Sequence, residues 1–92
     1  MIKHLEITID GLVHGVFFRY FLKEKAEALS LVGWVENRKD GTIYLEVEGE
    51  EEKLNFFLES CHKGPSAALV EKVNFQYNDQ LKNYFDFRIR FD

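Results

Sequence analysis

The chain opens on alternation: between residues 3 and 10 the apolar Leu5, Ile7 and Ile9 interleave with Glu6, Thr8 and Asp10. A period of two marks a half-buried strand, because successive side chains of an extended chain point to opposite faces. From Phe18 the period lengthens, and Phe18, Leu22, Ala26 and Leu29 recur at helical spacing while Lys23, Glu24, Lys25 and Glu27 fill the outer face. That predicts an amphipathic helix. LVGWVENR then predicts a strand, KDG a tight turn and TIYLEVEG the partner strand, with Ile43, Leu45 and Val47 alternating against Tyr44, Glu46 and Glu48. The three segments together make a β-hairpin.

EEEKLNFFLESCHK reads as a second amphipathic helix whose acidic start and basic end suit the helix dipole, and GPS stops it. ALVEKVNFQY and YFDFRIRF predict two more strands, the latter with Phe85, Phe87, Ile89 and Phe91 on one face and Asp86, Arg88, Arg90 and Asp92 on the other. The order is βαββαβ with a short extra C-terminal strand. Its simplest closure is a ferredoxin-like α/β sandwich, an antiparallel sheet with two helices on one face. In that topology the first and second strands run the same way, so the loop from Gly11 to Phe18 and the turn from Asn37 to Gly41 emerge at one end. Open α/β sheets tend to bind ligands there.

Ninety-two residues build one core, so residues 1–92 are expected to form a single domain, and 46% hydrophobic residues suffice for it. A net charge of −4 argues against nucleic acid, whose affinity comes from Lys and Arg displacing phosphate counterions. Cys61 is the sole cysteine, which excludes an internal disulfide, and its place beside Leu54, Phe57 and Leu58 predicts a buried thiol. The start MIKHLEITID lacks a signal-peptide apolar run, and no segment approaches the roughly 18 apolar residues of a membrane span. A cytoplasmic, membrane-free protein is the expectation.

The chemistry concentrates in GLVHGVFFR, residues 11–19. Amides at a helix start lack intrahelical partners and the dipole there favours anions. Gly11 and Gly15 can take positive φ, letting amides from Val13 to Arg19 converge on one oxyanion, while the Arg19 guanidinium adds a planar fork of donors. The plainer reading stays open on periodicity alone: two glycines make a strand-to-helix turn, Arg19 is a solvated helix residue, and Asn37 is a turn residue before KDG.

Taken with LVGWVENRKDGTIYLEVEG, GPSAALVEKV and FDFRIRF, this loop resembles the acylphosphatase family, whose hallmarks are a V-Q-G-V-x-F-R loop and a G-W-V-x-N-x-x-D-G hairpin. The resemblance spans nearly the whole chain. It implies a small, cytosolic, monomeric, ferredoxin-like enzyme without metal or cofactor, which hydrolyses an acyl phosphate to a carboxylate and inorganic phosphate. By motif position it gives Arg19 phosphate binding, Asn37 the nucleophilic water, and Val13, His14, Gly15, Val16, Phe17 and Phe18 the cradle. Trp34 is then hairpin packing and Asp40–Gly41 turn chemistry.

Two positions depart from the family: His14 stands for the usual glutamine and Ser30 for a common glycine. A cradle of main-chain N–H groups tolerates the first change, and the His14 ring either lies near the anion, where charge would couple the two, or points to solvent. His4, His14, His62 and Cys61 show no metal-ligand spacing. The alternative function is a noncatalytic ferredoxin-like anion-binding module, or an acylphosphatase-like domain within a carbamoyl-transfer assembly.

Overall fold

The computed structural model describes residues 1–91; Asp92, expected on the outer face of the last strand, lies outside the described residues. The elements are β1 (Ile2–Leu12), α1 (Phe18–Ala28), β2 (Val32–Asn37), β3 (Ile43–Glu50), α2 (Glu51–Lys63), β4 (Leu69–Asn78) and β5 (Phe87–Arg90). They form one sheet in the order β4-β1-β3-β2-β5, with βαββαβ and the closing strand as expected.

The two-residue period does what it predicts. Leu5, Ile7 and Ile9 of β1, Ile43, Leu45 and Val47 of β3 and Val35 of β2 are fully buried, and both helices pack on that face through Phe18, Leu22 and Ala26 of α1 and Leu54, Phe57, Leu58 and Cys61 of α2. Each large side chain removed from water here contributes roughly 1.5–3 kcal/mol. Burial pushes the Cys61 thiol pKa up, out of reach of nucleophilic chemistry.

The four core strands form the antiparallel sheet expected, and the closing strand makes the whole sheet mixed. Four strands pair antiparallel, but β5 lies parallel to β2, with Gly33 opposite Phe87 and Glu36 opposite Arg90. The cause is topological: β4 runs opposite to β1, so the chain leaves it at the end where β2 begins, crosses to the far edge and enters β5 in the direction of β2. That crossing also shortens the last strand. Only four residues pair, Phe87 is buried, and Phe85 is 94% exposed instead of joining the apolar face.

The end of α1 shows the cost of one sequence departure. The Leu31 amide donates to the Ala26 carbonyl at 2.8 Å and the Ser30 amide to Glu27 at 3.1 Å, the paired bonds of a Schellman cap. The cap requires Ser30 at φ 58°, a left-handed backbone in which a Cβ costs about 1–2 kcal/mol. Ser30→Gly removes that strain and gives back part of it as chain entropy. We expect a net gain of roughly 0.5–1 kcal/mol, a few degrees in Tm; an unchanged or lower midpoint in thermal unfolding would mean the serine hydroxyl compensates the strain.

Candidate active site

β1 delivers the chain to the site through a bulge. Its register against β4 shifts between Asp10 and Gly11, and Gly11 at φ 136° lets β1 pass so close to β4 that a Cβ would meet the Leu69 carbonyl oxygen at 2.1 Å. Gly11 therefore belongs to the strand and not, as expected, to the curl of the loop. That work falls to Gly15 at φ 73° and to Phe17 at φ 61° and ψ 26°, which flank Val16.

A phenylalanine in the left-handed region is strained by about 1–2 kcal/mol. Phe17 is also the residue preceding α1, it supplies no side-chain cap, and no acidic residue occupies the first turn. The Phe21 amide reaches the Phe17 carbonyl at 3.0 Å, whereas those of Phe18, Arg19 and Tyr20 have no acceptor among the described residues. Unclaimed donors at the positive end of a helix dipole are an anion site.

Six of the eight residues expected at the site meet there: Val13, Gly15, Phe17, Phe18, Arg19 and Asn37 line a cavity of about 240 Å³, joined by Tyr20. Arg19 sits in the first turn of α1. One of its Nη groups donates to the Arg90 carbonyl at 3.4 Å and its Cζ lies 4.8 Å from the Phe91 ring centre, so the end of the last strand steadies the guanidinium, whose other N–H groups have no acceptor among the described residues. Asn37 closes β2 from the opposite side, and its Oδ1 is buried without a hydrogen-bond partner among the described residues. An orphaned buried acceptor costs about 1–3 kcal/mol, which a bound ligand or water would recover.

The β2–β3 turn is tied down locally. Asp40 Oδ1 accepts from the Thr42 amide at 3.0 Å and the Thr42 hydroxyl at 2.7 Å, which holds the Asp40 carboxyl below its ordinary pKa and gives Asp40 the turn role expected of it. The Thr42 carbonyl in turn accepts from the Arg38 amide at 2.8 Å and from His14 Nε2 at 2.8 Å. His14 is exposed and absent from the cavity lining, and its ring clasps the loop to the hairpin that carries Asn37. Val16 also leaves the cavity lining and packs against the core. Trp34 packs as expected, against Tyr44 across the hairpin and beneath Arg90.

Sequence reasoning missed Tyr20, Phe91, the Arg90 carbonyl and the Thr42 clasp. Only the terminal aromatic in FDFRIRF offered a signal, and it was assigned to the core face. A larger hollow of about 460 Å³ lies along β5, lined by Trp34, Tyr84, Phe85 and Arg90 among others. Phe18, Arg19 and Tyr20, which carry the unclaimed helix-start amides, line the smaller cavity and not this one.

Residues 5–89 match the family described as Acylphosphatase. The acylphosphatase of Salinibacter ruber is 39% identical over 88 residues, which are 96% of this chain and 93% of that one. A crystal structure of acylphosphatase from Bacillus subtilis superposes with a TM-score of 0.95 at 34% identity, covering 99% of this chain and 100% of that one. The crystal structure of full-length HypF in the phosphate- and nucleotide-bound form matches with a TM-score of 0.90 at 34% identity, over 98% of this chain and 12% of that one.

Gly15 isolates the contribution of loop shape. A Cβ there would meet nothing within 4 Å, so Gly15→Ala tests backbone conformation without a clash. Left-handed alanine costs about 1–2 kcal/mol. We expect the variant to fold, to lose stability of that order and to bind inorganic phosphate several-fold more weakly in a calorimetric titration; unchanged phosphate affinity would remove this loop from the binding site.

Proposed function

The chain belongs to the acylphosphatase family, and we propose that it hydrolyses acyl phosphates, with the phosphate held by the 13–18 loop and Arg19 and the attacking water oriented by Asn37. The observation that carries this reading is the meeting of three unsatisfied groups in one cavity: the helix-start amides, the free face of the Arg19 guanidinium and the buried Asn37 Oδ1.

The chemistry follows from the bonds involved. A water oxygen bonds to phosphorus as the bond to the acyl oxygen breaks, and a carboxylate departs without needing a proton. Phosphoryl transfer of this kind spreads charge over three equatorial oxygens and asks for positioning and charge stabilisation. Arg19 and the amides supply the second. Asn37 supplies the first, its Oδ1 accepting a hydrogen of the water and aiming it in line, and a non-bridging phosphate oxygen takes the released proton. Because the leaving group and the phosphate are served without a Lewis acid, we read the hydrolysis as metal-independent and cofactor-free.

A single domain over residues 1–92, a monomer in the cytoplasm and a partner list of acyl phosphate and inorganic phosphate, without nucleic acid or membrane, belong to the same reading. Among the described residues no helix is long and apolar enough to cross a membrane. The HypF match supports a second reading, the same site serving a larger phosphate-handling chain. The relatives of this chain's own length favour stand-alone hydrolysis.

Release of inorganic phosphate from benzoyl phosphate, with p-nitrophenyl phosphate as the ester control, tests the activity. Arg19→Ala and Arg19→Lys should both lose phosphate affinity and at least about two orders of magnitude in rate, roughly 3 kcal/mol, since a lysine cannot supply two aligned donors. Wild-type turnover in either folded variant would exclude Arg19. Asn37→Ala should lose turnover by a similar factor yet still bind inorganic phosphate, because aiming water matters to the transition state more than to the bound anion. Were affinity to collapse with rate, Asn37 would belong to the cradle instead.

A further inference from the structure

The helix-free face of the sheet carries ionisable groups that this chemistry does not use. Register pairs His4 with Glu48 and Glu6 with Glu46 across β1 and β3, so all four project from the face opposite Leu5, Ile7, Leu45 and Val47. His4 is 0% exposed and Glu48 3% exposed, unusual for such residues on a sheet face without helices. The connection between β4 and β5 covers them: the Lys82 and Asn83 amides donate to Glu48 at 2.6 and 3.1 Å, and the Tyr84 hydroxyl donates to Glu46 Oε1 at 2.7 Å. Tyr44 holds the other Glu46 oxygen at 2.8 Å.

Within this cluster His4 Nδ1–H donates to Glu48 Oε2 at 2.6 Å, which fixes the ring and leaves Nε2 as its second functional atom. Nε2 is buried and has no hydrogen-bond partner among the described residues. It lies 3.1 Å from Glu46 Oε1 and 3.8 Å from Glu6 Oε2, but Glu46 is off the line a hydrogen bond needs. One nitrogen and an oxygen from each of the two carboxylates all fall within 4.8 Å of one another.

A neutral ring directing a lone pair at two carboxylates is repulsive unless a positive charge sits between them. Even an imidazolium would set a single positive charge, Nδ1–H toward Glu48 and Nε2–H toward Glu46 and Glu6, against three carboxylates. The Tyr84 and Tyr44 hydroxyls each donate to one Glu46 oxygen, an arrangement that suits a carboxylate acting only as acceptor. A divalent ion about 2.0–2.2 Å from each donor accounts for both the spacing and the charge, since the edges of such a tetrahedron are about 3.4 Å. The ring's second nitrogen on a carboxylate is the usual outer support of a metal-bound histidine.

We propose that His4 Nε2, Glu6 and Glu46 form a divalent-cation site of the Zn²⁺ class, with Glu48 orienting the imidazole and water completing the coordination. One imidazole with two carboxylates suits a borderline first-row ion better than Ca²⁺ or Mg²⁺, which take oxygen alone. Glu6, 41% exposed at its side chain, gives the ion its way in. His4 and Glu6 lie eight and six residues before Leu12 on β1, about 20–26 Å along the strand from the loop that follows it. The site therefore serves the fold, joining β1, β3 and the covering connection.

Protein stripped with EDTA and titrated with Zn²⁺ tests this by calorimetry, thermal unfolding and ¹⁵N NMR of the histidine rings. The expected result is one ion per chain, a saturable rise in Tm, a large shift of His4 Nε2 with Nδ1 still protonated, and benzoyl phosphate hydrolysis unchanged by the ion. Glu6→Gln, at an exposed position that does not endanger folding, should bind at least tenfold more weakly, and His4→Gln should not bind. Absence of saturable binding, equal affinity in wild type and Glu6→Gln, or a His4 ring protonated on both nitrogens and indifferent to Zn²⁺ would each overturn the proposal.

Discussion

Everything at the candidate site depends on the first turn of α1 having no side-chain cap. A serine or aspartate before the helix, in extended geometry, would satisfy one of the orphan amides and stabilise the helix by about 1 kcal/mol. Phe17 does the reverse: its side chain offers no acceptor and its backbone is held left-handed. Both effects are costs to the fold, and both leave the amides of Phe18, Arg19 and Tyr20 free. The strain persists because the next residues over-determine it. Phe18, Leu22 and Ala26 lock one face of α1 into the core, and the Phe21 amide binds the Phe17 carbonyl at 3.0 Å.

The topology places a second polar group across from that turn. β1 and β2 run in the same direction with β3 between them, so their ends stand two strand spacings apart, about 10 Å. That gap sets the separation of Arg19 and Asn37 across their shared cavity, and a wider or narrower one would draw them apart or press them together. Two light contacts keep it set: His14 reaching over to the Thr42 carbonyl, and Arg19 resting on the Arg90 carbonyl and the Phe91 ring. Neither is strong, since both are exposed. Their value is in orientation, because they fix loop, hairpin and guanidinium to one another instead of to the core.

Most of this architecture was legible in the order of residues. Alternation at Leu5, Ile7 and Ile9 and the helical stripe of Leu54, Phe57, Leu58 and Cys61 report burial directly, since each side chain's fate follows from its own period. The candidate site was legible where motif spacing brings residues together, as with Arg19 and Asn37, which line one cavity. Legibility failed wherever the outcome depended on which strand lies next to which. The parallel seating of β5, and with it the exposure of Phe85, comes from the side of the sheet on which the chain returns after β4. The His14 clasp needs the loop and the hairpin to share one end at one distance. His4 with Glu6, Glu46 and Glu48 looked like ordinary outward-facing strand positions, because alternation says which face a residue takes and nothing about whether a later segment will cover it.

That covering segment explains how one sheet carries two unlike faces. The helix side is stabilised by apolar burial and is indifferent to charge. The other side cannot be, for once Lys82, Asn83 and Tyr84 close over Glu48 and Glu46, carboxylates and an imidazole are removed from water and each must find a partner. Tyr84 meets part of that demand and is itself altered by it, its hydroxyl pushed up to about 12 by burial and by the bond to Glu46. The connection between β4 and β5 is thus held by polar bonds to β3, and through β5 it carries Arg90 and Phe91 to the guanidinium of Arg19. Polar satisfaction at one end of β1 and the posture of Arg19 at the other are consequently linked by a single stretch of chain.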